Sequence, residues 1–175
     1  MGYLHDANFA FPISPFHCYG TVATWAIGAG QVAGAMSYKC DATDETAHLF
    51  IEVRVPSHLD DSAGVAVKGF KVTDFELNFE ITTAALDAMS AVINKIKIGA
   101  DGSVYVVSNP DFTYDTGHDT AAERVDVDQH RMTLSVTTPE YCEDDEYYVI
   151  DLTIDKATTS IFEFYGGVAH GVFRA

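Results

Sequence analysis

The stretch His48–Val55, HLFIEVRV, places Leu49, Ile51, Val53 and Val55 on one face and His48, Phe50, Glu52 and Arg54 on the other. Successive side chains of a strand point to opposite sides, so this alternation predicts a half-buried β-strand. Pro56 ends it, because proline has no N–H to give to a ladder. Gly69–Thr82, GFKVTDFELNFEIT, repeats the pattern with Phe75, Leu77, Phe79 and Ile81 set against Glu76, Asn78 and Glu80. Its phase slips between Val72 and Phe75, which predicts a bulge near Thr73 and Asp74.

Outward from these two strands, the same texture predicts strands at Val104–Val107, Arg131–Thr138 (Met132, Leu134 and Val136 inward), Tyr147–Ile154 and Ile161–Phe173. Thr21–Tyr38, small and apolar and punctuated by Gly28, Gly30 and Gly34, reads as one bent strand or two short ones. Thr82 and Thr83 offer N-cap chemistry, and Ala85, Met89, Val92 and Ile96 recur at helical spacing with Lys95 and Lys97 near the end. That predicts one amphipathic helix of about four turns laying Leu86, Met89, Val92 and Ile93 on a sheet. The expected fold class is mainly β: an antiparallel two-sheet sandwich of jelly-roll type with one amphipathic helix, a barrel being second.

Residues 1–20 carry Pro12 and Pro15 and no strand or helix period, and read as an extended aromatic arm before a single β-sandwich domain at 21–175. Phe9, Phe11, Phe16 and Tyr19 are costly to leave in water, at ~1.5 to 3 kcal/mol each. They are the expected interface residues, covering the chain's own sheet or a neighbouring subunit.

With 175 residues, 47% of them hydrophobic, the chain is long enough to bury a core without metal or disulfide support. Asp and Glu number 26 against 10 Lys and Arg, a formal net charge of -16. Such a surface repels phosphate backbones and anionic lipid, so neither nucleic acid nor membrane is expected as a partner. Cys18, Cys40 and Cys142 are too scattered for a zinc site and read as buried apolar residues, a Cys18–Cys40 bridge being the lesser alternative. The start, MGYLHD, lacks the basic and apolar stretches of a signal peptide, which predicts synthesis in a host cytoplasm, left only inside a particle, and no cofactor is expected apart from a candidate Ca²⁺.

The long polar stretch Ser108–Asp128 concentrates acids and histidines: Asp111, Asp115, His118, Asp119, Glu123, Asp126 and Asp128, followed by His130. Hard cations take several carboxylate and carbonyl oxygens, so Asp126 and Asp128 are the candidate ligands for a Ca²⁺ ion, though no EF-hand spacing is present. His118 and His130 could join His48 or His170 at a transition metal, but no His-x-His occurs. No catalytic residue is singled out, there being no nucleophile elbow and no distinguished carboxylate pair.

Val67–Val72 (VKGFKV), the aromatic strand entering Thr82–Leu86, His130–Pro139 (HRMTLSVTTP), Glu146–Leu152 (EYYVIDL) and Gly166–Val168 together resemble structural proteins of tailed phages and related virus-like particles. That resemblance implies a structural assembly subunit, whether capsid, decoration or tail-associated, acting by self-association. It further implies a homo-oligomer, trimeric or higher, located in the virion beside other virion proteins. The alternative is a carbohydrate-binding β-sandwich module, motivated by outward-phased Phe50, Tyr105, Tyr114 and Tyr147, whose rings could stack on sugars. A metal-dependent jelly-roll enzyme is the third reading.

Overall fold

In the computed structural model the two deciding stretches are both strands, and they belong to different sheets. Residues 6–30, 35–41, 43–56, 69–143 and 145–174 are described; Val32, Gly34, Val67, Lys68 and Asp144 lie outside the described residues. The elements are β1 (Asp6–Ile13), a 3₁₀ turn (Pro15–His17), β2 (Cys18–Thr21), β3 (Trp25–Ala29), β4 (Met36–Cys40), β5 (Glu45–Val53) and β6 (Gly69–Thr82). After these come β7 (Ala88–Ile98), β8 (Val104–Ser108), β9 (Phe112–Tyr114), β10 (Gln129–Val136), β11 (Glu146–Lys156) and β12 (Ile161–Arg174). A seven-stranded sheet runs β3-β4-β12-β6-β10-β9, with β1 also on β12, and a five-stranded sheet runs β2-β5-β11-β7-β8. All pairings among these strands are antiparallel.

The inner faces meet in one core. Leu49, Ile51, Met89, Ile93, Ile150, Leu152 and Ile154 come from the five-stranded sheet, and Phe75, Leu77, Phe79, Ile81, Met132, Leu134, Phe162 and Phe164 from the seven-stranded one. Each such side chain contributes ~1.5 to 3 kcal/mol by leaving water, so the alternation read from sequence is the main stabilising term. The bulge expected in β6 is present: His170 faces Asp74 and Gly171 faces Val72, leaving Thr73 unopposed. A second irregularity in β12 pushes Tyr165 out of register between Phe164 and Gly166. Gly166, at φ 105°, makes the backbone conformation that an L side chain resists.

The expected helix is absent, and its residues form β7 instead. The same segment also carries a period of two, in which Met89, Ala91, Ile93 and Lys95 face inward. Val92, which the helical reading buried, is 45% exposed. Lys95 hides the alternation because a cation stands where an apolar residue is expected. It is buried only because Glu146 lies 2.8 Å away and the Tyr141 carbonyl accepts from it at 2.9 Å. The supposed N-cap is a turn in which Thr83 takes a left-handed φ of 74°. Rich in β-branched residues and bordered by β11 along almost its whole length, the segment gains more as a strand than its local helical spacing offers.

Residues of the expected arm lie on both sheets of their own sandwich. β1 pairs with β12 from Asp6↔Arg174 to Ile13↔Gly167. Phe9 meets Phe173 edge-on at 5.9 Å between ring centroids, and Phe11 meets Phe70 at 4.8 Å. Ser14 caps the 3₁₀ turn by accepting from the Phe16 N–H at 3.2 Å, with Pro15 in the first position, and the chain then crosses to β2 on the other sheet.

Candidate functional site

That crossing builds an open cleft of about 740 Å³ between the 3₁₀ turn and the outer face of the five-stranded sheet. Phe16, His17 and Tyr19 form one wall, and Phe50, Glu52, Arg54, Tyr147 and Val149 form the floor and far side. The placement follows from register: Tyr19 stands opposite Phe50 across the β2–β5 pair, so the two rings project from the same face of adjacent strands. Tyr19 is 68% exposed and Phe16 53%. The His48 ring lies parallel to Phe50 with centroids 5.9 Å apart, and Asp151 takes its Nδ1 at 2.9 Å. Phe50, half-buried, is thereby packed against His48 while it borders the cleft. At the opposite end the Arg54 guanidinium sits 5.7 Å above the Tyr147 ring and pairs with Glu52. The cleft thus offers flat aromatic faces beside a carboxylate, a guanidinium and an imidazole.

Cys18 borders the cleft as a free thiol, pushed up to about 12 by burial and so not a nucleophile at neutral pH. Cys40 and Cys142 are also free, so the Cys18–Cys40 bridge is not formed.

Of the aromatics read as outward-facing, Phe50 and Tyr147 reach the cleft. Tyr105 projects from β8, and Tyr114 is engaged elsewhere: Arg124 covers its ring at 4.2 Å and its hydroxyl accepts from the Ala91 N–H. Of the four expected interface residues, Phe16 and Tyr19 line the cleft while Phe9 and Phe11 cover β12 and β6.

The long acidic connection is held by its own contacts. His118 Nδ1 lies 2.9 Å from Asp115 Oδ1, its Nε2 lies 3.2 Å from His130 Nδ1, and His130 Nε2 lies 2.9 Å from the Asp126 carbonyl oxygen. Burial alone would raise the Asp115 carboxyl, but the Thr133 N–H, the His118 ring and the Gly117 N–H outweigh it and hold the group below its usual range. Asp126 and Asp128 border a polar cavity of about 270 Å³ with Glu123, His118 and His130. Among the described residues, no three His, Cys, Asp or Glu side chains converge as a metal site. The Glu140–Glu146 connection likewise answers nearby lysines: Glu143 and Asp145 lie 2.6 and 3.3 Å from Lys97.

The outer face of the seven-stranded sheet is built differently. Glu163, 1% exposed, takes Lys39 at 3.4 Å, Ser37 Oγ at 3.2 Å and the Tyr165 hydroxyl at 3.1 Å, and the same hydroxyl reaches Glu80 at 2.6 Å. Arg131 donates to Glu76 at 2.6 Å and, as the strongest influence, lowers that carboxyl.

No family model matches the sequence, and no curated protein does. Among solved structures, the chain is similar to a protein described as "CBM4 structure and function" (TM-score 0.44, 8% identity, 89% of this chain and 96% of that one). It is also similar to the C-terminal family 22 carbohydrate-binding module of Clostridium thermocellum Xyn10B (TM-score 0.39, 8% identity, 91% and 92%). A third is the enzymatically active domain of bacteriophage CBA120 tailspike protein 4 (TM-score 0.41, 11% identity), where the match covers 95% of this chain and 19% of that one. The expected viral structural subunit is corrected on this point. The matching structures are mostly carbohydrate-binding modules, and the phage protein named here is matched over a fifth of its length in a domain described as enzymatic. At these TM-scores no ligand or residue role is carried over from any of them.

Proposed function

We propose that the chain is a carbohydrate-binding β-sandwich module that holds a neutral oligosaccharide in the cleft between the 3₁₀ turn and β5. The observation that carries this reading is the pair of cross-strand rings, the exposed Tyr19 and the half-buried Phe50, side by side in the cleft with Glu52 and Arg54. A pyranose presents an apolar C–H face and a rim of hydroxyls. The first suits an aromatic platform, and the second suits a carboxylate that accepts and a guanidinium that donates. Phe50, backed by His48, binds with little loss of side-chain freedom, because its ring is already packed on one side. A formal net charge of -16 favours a neutral glycan over an acidic one.

Affinity electrophoresis through gels containing soluble β-glucan, xylan, mannan or pectate tests the reading. At least one neutral polysaccharide is expected to retard the protein and pectate is not, and Tyr19→Ala with Phe50→Ala is expected to abolish the retardation. Equal mobility in every gel, or retardation indifferent to both substitutions, rejects it.

A further inference from the structure

Among the described residues, strand β8 is one of the two edges of the five-stranded sheet and is bonded to β7 on one side only. Its residues Val104, Tyr105, Val106 and Val107 are 61, 48, 49 and 44% exposed. Since consecutive strand residues point to opposite faces, β8 is apolar to solvent on both faces as well as open along its hydrogen-bonding edge. Sheets ordinarily blunt such an edge with charge, proline or cover. Here 102–110, GSVYVVSNP, holds no charged residue, its proline falls after the strand, and the single register irregularity lies at the strand's end, where Val107 is unopposed. On the outer face the apolar surface continues onto β7 through Ile98, opposite Val104.

We infer that β8 pairs antiparallel with β8 of a second copy of this chain, joining two five-stranded sheets across a two-fold axis. The strand's features select that occupant. A partner strand must be apolar on both faces and must offer its own free edge, and β8 itself meets both demands, as a self-complementary two-fold contact requires. Charge points the same way. A second copy bearing -16 is repelled by most of this surface, and the uncharged run is where two acidic copies can meet without opposing carboxylates along the strand. The cleft lies toward the opposite edge of the sheet, at β2 and β5, so pairing through β8 leaves it open.

Sedimentation velocity over a concentration series tests this, with Val106→Lys and, as a control at an equally exposed valine of the β9–β10 connection, Val127→Lys. Circular dichroism checks that both variants keep the strand signal. The wild type and Val127→Lys are expected to dimerise. Val106→Lys, which sets two lysines facing each other near the axis, is expected to weaken association at least about tenfold, or ~1.4 kcal/mol. Amide exchange across Val104–Ser108 is expected to slow as the dimer forms. A wild type monomeric up to about 1 mM, where any dimer has less than ~4 kcal/mol of association free energy, overturns the inference. So does a dimer that Val106→Lys leaves intact, or one that forms without protecting the β8 amides.

Discussion

The two outer faces of the sandwich are made from similar strands and finished in opposite ways. On the seven-stranded sheet, polar groups answer one another within the chain: Glu163 with Lys39, Ser37 and Tyr165, and Glu76 with Arg131. On the five-stranded sheet, Phe16, Tyr19, Val92, Val104 and Val106 stand in water. Polar groups that satisfy each other have little left to offer a ligand, whereas exposed rings gain free energy only when something covers them. The first face holds the fold together, and the second is where binding is to be sought.

Substitutions on the two faces should therefore separate stability from binding. The largest effect is expected from Glu163→Ala, which strips a buried carboxylate from three partners at once. Denaturant titration should show a loss of about 2–3 kcal/mol, with glycan retardation unchanged. Next comes the cleft. Tyr19→Ala should reduce glycan affinity by more than ~1 kcal/mol, as truncated aromatic anchors do, while leaving the unfolding midpoint within about 0.5 kcal/mol of wild type. A Tyr19→Ala protein that unfolds easily, or a Glu163→Ala protein that no longer binds, would break the contrast.

Acid should act through the satisfied groups. The Arg131 guanidinium is the main cause holding Glu76 down, against an opposing push from burial, and Asp115 is also held low. A carboxyl lowered in the folded state stabilises fully above its unfolded value, about 4.3 for Glu and 3.9 for Asp, and that stability is lost as pH falls through the lower folded value. Unfolding midpoints should thus drop below about pH 4. Glu76→Gln should make that drop shallower, whereas Tyr19→Ala should leave its slope alone. The smallest effect belongs to Arg54→Ala. Its contact with Tyr147 is solvent-exposed, so calorimetric glycan affinity should fall by only ~0.5–1 kcal/mol, with stability unaltered.

The strands β5 and β11 are legible because each keeps an unbroken alternation between one dry and one wet face, and β6 because its alternation slips only where the bulge at Thr73 falls. β7 was not, since Lys95 sits at an inward position and the Glu146 that permits it is about fifty residues further along the chain. The site shows the same division. Strand phase alone turned Phe50 and Tyr147 outward, but Tyr19 was assigned to an arm, and its place opposite Phe50 exists only through the β2–β5 register. His118 and His130 were grouped from the sequence as metal ligands beside His48 or His170, whereas their direct contact, with His130 also on the Asp126 carbonyl, depends on how the β9–β10 connection folds back over β10.

The pairing of β1 with β12 carries a consequence for how the chain reaches this state. Asp6 lies opposite Arg174, so one ladder joins the first described residue to the last. β12 must also collect β4 and β6, both distant in sequence. Loop-closure entropy has to be met before such contacts return anything, and topologies dominated by them fold in milliseconds to seconds rather than microseconds. Until β12 is synthesised or docked, β1, β4 and β6 each lack a neighbour. Docking of β12 is therefore the step expected to set the folding rate, and during that wait its unpaired partners are the segments most open to mispairing.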